Sequence, residues 1–268
     1  MYTEDTDTKI TMYDIDSILL DNDENREPNP YFNVYRINMY VNGSSGSGKS
    51  SFIINLLLND IIPFEMLILM LPLETKTSGI WSNFIKKFHK IFPDKTLLIF
   101  DISEPYEGLY DYKKIKQGII EFNGFPYFSD IYQLKRAMKI KNCCIIFDDF
   151  VTIFNKKQWN MYFQYIHNAS RLNSSLISAT QDPLSKFPPS LRNSFSIIVI
   201  FTNYLSKSNI YTLFKNTVNI SLTNDEIEML IKFAAKDPNK AHIPYIIIGG
   251  DVEKNKQIIY DNQYITFN

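Results

Sequence analysis

Cysteine is almost absent from the sequence, which contains only two of these residues. Cys143 and Cys144 are adjacent within an apolar run, so they cannot form an ordinary structural disulfide with each other. We interpret both as small core residues, and a reducing, intracellular compartment fits this interpretation. A fold held together by disulfides is thereby excluded.

Long apolar runs are missing as well. No stretch approaches the roughly 20 uninterrupted apolar residues that a membrane-spanning helix requires. The chain begins MYTEDTDTK, which has neither the basic nor the apolar region of a secretory signal. We therefore expect a soluble, unprocessed intracellular protein with no membrane partner.

The sequence has no excess of positive charge. Its 28 lysines and arginines are balanced by 29 aspartates and glutamates, which gives a formal net charge of -1. Any contact with nucleic acid must then come from local basic clusters and not from the surface as a whole. The clusters at residues 113–116 and 135–141 are interpreted as solvated helix faces, and the three histidines, which show no metal-ligand spacing, as structural residues.

The chain divides into an acidic lead-in, residues 1–30, and one folded α/β domain, residues 31–268. In the domain, short apolar runs alternate with longer amphipathic segments, which predicts a mostly parallel central sheet flanked by helices. The predicted strands are residues 37–41, 66–71, 97–101, 143–147, 175–180 and 197–201. The predicted helices are residues 49–59, 80–91, 129–138, 157–170 and 206–215. A helix at 223–236 and a C-terminal β-hairpin, at 245–248 and 257–260, complete the domain.

A glycine-rich segment directly follows the first predicted strand. Residues 43–50 match G-x-x-x-x-G-K-[ST], in which backbone N–H groups surround phosphate oxygens. Lys49 would reach the β and γ phosphates, and the Ser50 hydroxyl can coordinate Mg²⁺. The strand before the segment and the apolar helix after it make an accidental Gly/Ser turn the weaker alternative. The predicted nucleotide-binding residues are Gly43, Ser44, Ser45, Gly46, Ser47, Gly48, Lys49, Ser50 and Ser51.

Two acids end the apolar strand at residues 143–147. Downstream of a phosphate loop, such a strand typically brings a carboxylate to the Mg²⁺ shell. We predict Asp148, together with Ser50, as the metal-side ligand, and Asp149 as the base or orienter of the attacking water. Asp101 ends a competing apolar strand, but an ordinary strand end is the favoured interpretation there.

Gln181 follows another apolar strand, one helix after the two acids. A glutamine at this place can sense the γ-phosphate or hold the attacking water, and a helix cap or turn residue is the alternative. The order of these parts resembles the additional-strand P-loop ATPases of the RecA/FtsK-like type. In those proteins, a strand with a polar sensor lies between the phosphate-loop strand and the acidic strand.

A narrower resemblance covers about residues 36–202. Arg171 stands about ten residues before Thr180-Gln181, and Leu191-Arg192-Asn193 precedes the strand at 197–201. This arrangement looks like the FtsK/HerA superfamily, and within it most like the DNA-packaging ATPases of poxviruses, giant viruses and virophages. Two departures are Asp149, where cellular members commonly have Glu, and Asp-Pro after Gln181, where cellular members have Arg-Pro. The second departure favours the viral type.

The resemblance implies an ATP- and Mg²⁺-dependent motor that moves double-stranded DNA into a viral capsid. It further implies a homo-oligomeric ring, a capsid or portal-vertex partner, and a location in the host cytoplasm, the viral factory or the virion. Asp149 and Gln181 would act in catalysis, with Arg171 reaching the γ-phosphate of a neighbouring subunit and Arg192 as the second candidate for that role. A surface or helix-end cation is the alternative for either arginine.

Two other functions fit the same residues. One is another small P-loop ATPase, of the DNA-transfer or AAA type. The other is a nucleotide-dependent switch or assembly protein that binds ATP and translocates nothing.

Overall fold

The computed structural model of the protein describes residues 37–77, 79–104, 118–192, 194–201, 223–225, 228–229, 245–250, 256–260 and 263–267. The predicted acidic arm at 1–30 and the predicted helix at 206–215 lie outside the described residues. Only residues 223–225 and 228–229 of the predicted helix at 223–236 are described, and 224–225 and 228–229 are helical.

Seven adjacent strands of the ten-stranded sheet are parallel, in the order β7-β1-β6-β5-β2-β3-β4. They are β1 (Asn38–Asn42), β2 (Met66–Leu71), β3 (Thr96–Asp101), β4 (Ile119–Asn123), β5 (Cys143–Asp148), β6 (Ser174–Thr180) and β7 (Ile197–Phe201). The carboxyl ends of all seven therefore meet at one edge of the sheet, which is where α/β proteins place their ligands.

Helices cover both faces of this sheet, as parallel connections require. The α-helices in the described residues from 37 to 201 are α1 (Lys49–Leu58), α2 (Leu73–Thr77), α3 (Gly79–Ile91), α4 (Phe128–Met138), α5 (Lys156–Asn168) and α6 (Pro189–Arg192). The buried side chains of α1 and α3 join one apolar cluster, and those of α4 and α5 join the other. One pair of helices thus lies on each face.

Strand β2 shows why the sheet is buried on both sides. All six of its residues are buried. Met66, Ile68 and Met70 belong to the cluster under α4 and α5, whereas Leu67, Leu69 and Leu71 belong to the cluster under α1 and α3. Alternate side chains of a strand point to opposite faces, so a strand covered on both faces is a continuous apolar run.

Three antiparallel strands extend the sheet beyond β7. They are β8 (Tyr245–Gly250), β9 (Lys256–Tyr260) and β10 (Gln263–Phe267). The predicted hairpin is confirmed as β8 and β9, and its β8 pairs with β7. Strand β10 was not predicted, because a single five-residue segment at the end of the chain gives little periodic signal.

The predicted fold class is confirmed: the structure is an α/β protein with a mostly parallel sheet, and β6 lies between β1 and β5 as in the additional-strand type. Strand β4, at the sheet edge, was not predicted. The predicted helix at 157–170 ends earlier, since α5 stops at Asn168 and a 3-10 turn, Ala169–Leu172, follows. Among the described residues, no helix is both long and apolar enough to cross a membrane.

Candidate nucleotide site

The phosphate loop lies at the carboxyl edge of the sheet, between the end of β1 and the start of α1. Gly46 and Gly48 have φ angles of 74° and 98°, which few other residues adopt. A side chain at Gly43 would place its Cβ 2.9 Å from the Cβ of Phe201, so this position has room only for glycine. Two conformational needs and one spatial need therefore explain the three glycines of this segment.

The ammonium group of Lys49 lies inside the loop. Its Nζ donates to the carbonyl oxygens of Gly43, at 2.9 Å, and Ser44, at 3.1 Å. The hydroxyl oxygens of Ser44 and Ser47 are buried, and neither has a hydrogen-bond partner in the described part of the chain. Buried hydroxyls of this kind need a polar partner, which phosphate oxygens would supply.

The phosphate loop and the acidic strand are joined by one carboxylate. Asp148, at the end of β5, is buried, and its Oδ2 accepts hydrogen bonds from Ser50 Oγ and from Trp81 Nε1, each at 2.7 Å. Its Oδ1 is buried with no partner among the described residues. The predicted pairing of Ser50 and Asp148 thus has a direct geometric counterpart.

Burial, and after it the neighbouring charge of Asp149, raises the pKa of Asp148 from 3.8 to about 6. The hydrogen bonds from Trp81 and Ser50 and the charge of Lys49 act in the opposite direction. The carboxylate is therefore held in an environment that disfavours its charge, where a cation would be strongly attracted.

Asp149 leaves the strand in an unusual backbone conformation. Its φ angle is 51°, and its N–H donates to the carbonyl of Ala179 at 3.0 Å. One carboxylate oxygen is buried without a partner in the described residues, and the side chain lines the cleft. The two consecutive acids therefore have different surroundings. Asp148 accepts hydrogen bonds from side chains on α1 and α3, whereas Asp149 faces the cleft.

The cleft has a volume of about 290 Å³. It lies over the phosphate loop and is bounded by α2, α3 and the end of β5. The residues that line it are Ser45, Gly46, Ser47, Gly48, Lys49, Ser50, Ser51, Thr75, Gly79, Ile80, Trp81 and Asp149. Seven consecutive residues of the predicted nucleotide site are thus brought together with the predicted base.

Gln181 lies just beyond β6, in the gap between the phosphate-loop strand and the acidic strand. It is exposed, and it is not among the described residues that line the cleft. The backbone next to it is held by β1, since Tyr40 Oη donates to the Asp182 carbonyl at 2.5 Å and Asn42 Nδ2 donates to it at 2.8 Å. The structure places the glutamine at the edge of the site, and its role stays a prediction.

The two arginines lie in different surroundings. Arg171 is exposed in the 3-10 turn before β6, at the amino edge of the sheet and away from the phosphate loop. Arg192 is half-buried at the end of α6, and its Nε donates to the Phe187 carbonyl at 2.8 Å. Neither is brought to the cleft of its own chain.

Solved structures with the same fold cover most of the chain. The genome packaging NTPase B204 from Sulfolobus turreted icosahedral virus 2, in complex with AMP, is similar with a TM-score of 0.51 at 14% identity, over 84% of this chain and 96% of that one. The same NTPase with AMPPCP gives 0.51 at 14% identity, over 83% and 96%. B204, the DNA-packaging ATPase from Sulfolobus Turreted Icosahedral Virus, gives 0.51 at 12% identity, over 82% and 95%. The chain has the fold of viral genome-packaging NTPases.

No protein-family model matches the sequence, and neither does any curated protein. The resemblance inferred from sequence motifs is thus confirmed at the level of the fold, by structures of low sequence identity.

Asp101 is the last residue of β3, and an ordinary strand end was the interpretation favoured for it from the sequence. Its Oδ1 accepts from the backbone N–H of Ser103, at 3.1 Å, and from the Ser103 hydroxyl. The Asp101 carboxylate therefore stabilises the turn that follows β3.

Trp81 also lines the cleft, although no motif in the sequence pointed to it. It is one of only two tryptophans, and its rarity was the only signal in the sequence. Its partner Asp148 is 67 residues away, so only the fold brings the two together.

Magnesium fits the oxygen atoms that the fold assembles here. Mg²⁺ prefers carboxylate and hydroxyl oxygens and is usually completed by water and substrate phosphates. Ser50 Oγ and the buried, unpartnered Oδ1 of Asp148 are of this kind. Among the described residues no group of three or more His, Cys, Asp or Glu side chains forms a protein-only metal cage.

Proposed function

We propose that the chain is an ATP-hydrolysing motor that moves double-stranded DNA into a viral capsid. The observation that supports this most strongly is the 2.7 Å hydrogen bond from Ser50 Oγ to Asp148 Oδ2. It joins the phosphate loop to the acidic strand in the fold of viral genome-packaging NTPases. Because structures with that fold hold AMP or AMPPCP, we assign an adenine nucleotide to the cleft.

The phosphate loop binds the triphosphate. Backbone N–H groups from Ser45 to Ser50 and the start of α1 surround the phosphate oxygens. Lys49, already held in the loop by two carbonyl oxygens, places its positive charge beside the β and γ phosphates. The hydroxyls of Ser44 and Ser47, in the same loop, are further donors for the phosphate oxygens.

Ser50 and Asp148 hold Mg²⁺ in this proposal. When bound, the ion neutralises charge that develops on the β and γ phosphates. Asp148 keeps Ser50 Oγ in place by accepting its proton in a hydrogen bond, and the partnerless Oδ1 is the oxygen left to face the ion or its water.

Asp149 is the proposed base. It faces the cleft with one oxygen that has no partner in the described residues, so it can orient the attacking water and accept its proton. Hydrolysis then releases ADP and phosphate. Gln181, just beyond the strand between β1 and β5, is the proposed sensor of the γ-phosphate.

The active assembly is proposed to be a homo-oligomeric ring around DNA. Arg171 lies at the far edge of the sheet from its own phosphate loop, which fits a side chain that acts on the nucleotide of the next subunit. A capsid or portal-vertex protein would hold the ring, in the host cytoplasm or viral factory.

A single experiment separates the motor from its alternatives. ATP hydrolysis is measured with linear duplex DNA, with single-stranded DNA and without DNA, using Lys49→Ala as the inactive control. In parallel, a triplex-forming strand bound to the duplex reports translocation, since a motor that moves along the duplex displaces it. We expect duplex-stimulated hydrolysis and ATP-dependent displacement.

Slow hydrolysis that duplex DNA does not change, with no displacement, would instead support a nucleotide-dependent switch. Sizing the protein with and without ATP tests the ring directly, because a chain of 31.4 kDa must form a much larger particle. A protein that stays monomeric at every nucleotide and DNA concentration would contradict the ring.

A further inference from the structure

Three elements of the fold converge on a single oxygen atom. Asp148 Oδ2, on β5, accepts from Ser50 Oγ on α1 and from Trp81 Nε1 on α3, both at 2.7 Å. The other oxygen of the same carboxylate, Oδ1, is equally buried and has no partner in the described chain. The two oxygens therefore differ: Oδ2 accepts two hydrogen bonds, whereas Oδ1 accepts none from the described residues.

From this asymmetry we propose that Trp81 is a positioning residue for the metal-binding carboxylate. Its indole N–H, acting with Ser50, fixes the rotation of the Asp148 carboxylate so that Oδ1 is presented to the divalent cation of a bound nucleotide. The inference rests on the proposed nucleotide-binding function. It concerns only the metal, and neither DNA nor translocation enters it.

The indole is itself firmly held. Trp81 is 2% exposed, and its ring packs edge-on against Phe84, with 5.8 Å between the ring centroids. Trp81, Phe84 and Phe88 form the buried stripe of α3, and this helix also packs against α1. The donor on α3 and the donor on α1 are therefore parts of one packed face, which sets the distance between them.

An ordinary core tryptophan would not explain this contact. A buried indole N–H needs an acceptor, and a backbone carbonyl or a neutral side chain is sufficient for that purpose. Here the acceptor is a buried carboxylate that precedes a second acid and also accepts from Ser50, in the first turn of α1. Partners of this kind, which orient a metal ligand from behind, typically change metal affinity by 10- to 100-fold when they are removed.

The chain contains a matched control. Trp159 is the only other tryptophan, and its aromatic neighbours are Phe150, Phe154, Tyr162 and Phe187. Trp81→Phe and Trp159→Phe therefore make the same chemical change, one next to Asp148 and one in the aromatic core on the other face of the sheet. Only the first removes a donor from the site.

The experiment measures metal binding in the full chain without DNA and without turnover. Mn²⁺ is titrated into the complex with AMPPCP and followed by EPR, and AMPPCP binding is also measured in EDTA. We expect Trp81→Phe to weaken Mn²⁺ binding by about tenfold or more, with metal-free nucleotide affinity unchanged. Trp159→Phe should bind Mn²⁺ like the parent protein. A Trp81→Phe protein with the Mn²⁺ affinity of the parent would overturn the proposal.

A second measurement covers the case in which Trp81→Phe does not fold. In the Trp159→Phe protein, Trp81 is the only tryptophan, so fluorescence excited selectively at tryptophan reports its indole alone. Adding Mg²⁺ to the AMPPCP complex should change that emission, and an unchanged emission contradicts the proposal. If the parent protein does not bind AMPPCP at all, the proposed function fails first, which keeps the two failures distinct.

Discussion

At the scale of single residues, Asp148 shows that the site places a carboxylate where its ionised form is disfavoured. The carboxylate is buried, lies beside another acid and has a pKa of about 6 in place of 3.8. Such a rise corresponds to about 3 kcal/mol against the ionised form. Without a cation, Asp148 therefore contributes less to the free energy of unfolding above pH 6 than it does at pH 4.

The sign of this effect gives the first prediction. Because the folded-state pKa of Asp148 is raised, the folded state holds its proton more tightly, and the free energy of unfolding falls as pH rises from about 4 to about 6. Asp148→Asn has no such charge. In EDTA, its stability relative to the parent should rise by about 2.4 kcal/mol between pH 4 and pH 8.

Chemical denaturation of both proteins at the two pH values measures this difference. The comparison cancels any pH-independent effect of the amide itself. If the stability difference between the two proteins were the same at pH 4 and pH 8, the pKa of Asp148 would not be raised in the folded state.

Asp149 gives the second prediction, and its backbone makes a clean variant available. Its φ angle of 51° is one that asparagine tolerates well, so Asp149→Asn removes the charge and keeps the turn. Since Asp148 and Lys49 remain, AMPPCP affinity should stay close to that of the parent. The turnover number should fall by roughly 10²- to 10⁴-fold, the usual contribution of a general base.

Steady-state hydrolysis and an AMPPCP titration test this division of roles. Asp148→Asn serves as the comparison, because it should weaken Mg²⁺-dependent nucleotide binding. If both variants lost binding equally, the two acids would share one role.

At the scale of elements, the sequence predicts well where a pattern is local. All six predicted strands between β1 and β7 are present, because buried parallel strands are apolar on both faces. The phosphate loop was predictable because backbone conformation and spacing fix its residues within one short segment. Asp148 and Asp149 were predictable because an acid at the end of a buried strand is itself a local signal.

Other parts were not predictable, because their signal is spread over the fold. Strand β4 reads Ile-Ile-Glu-Phe-Asn and is only partly buried, so it resembles a loop as closely as an edge strand. The bond from Trp81 to Asp148 spans 67 residues of sequence and depends on α3 packing beside α1. No window of the sequence contains that information.

Helix α5 supplies the element-scale prediction. Its N-cap, Asn155, accepts from the Gln158 N–H at 3.0 Å, and the Gln158 side chain accepts from the Asn155 N–H at 2.9 Å. Asn155→Ala should therefore destabilise the protein by about 1 kcal/mol. Asn155→Asp keeps the acceptor and should retain most of the stability, while nucleotide binding is unchanged in both variants.

Denaturant unfolding and an AMPPCP titration on the parent and the two Asn155 variants test this prediction. Equal stability of the alanine and aspartate variants would mean that the capping box contributes nothing measurable. A loss of nucleotide affinity would mean that α5 is coupled to the phosphate loop.

At the scale of the whole molecule, the parallel sheet separates Arg171 from its own phosphate loop. The loop follows the carboxyl end of β1, and Arg171 precedes the amino end of β6, a strand of seven residues. At about 3.3 Å per residue, the two lie roughly 20 Å apart along the strand. An arginine side chain cannot span that distance, so any action of Arg171 on a nucleotide requires another subunit.

The last prediction follows from this separation. Arg171 is exposed, so Arg171→Ala should fold and bind AMPPCP like the parent, yet hydrolyse ATP roughly 10³- to 10⁵-fold more slowly. Mixing it with Lys49→Ala should restore part of the activity, because a mixed boundary pairs an intact phosphate loop with an intact arginine from its neighbour. Arg192→Ala, whose side chain is bound to the Phe187 carbonyl, is the matched control and should give no such rescue. Full activity of Arg171→Ala on its own would eliminate the trans-acting arginine.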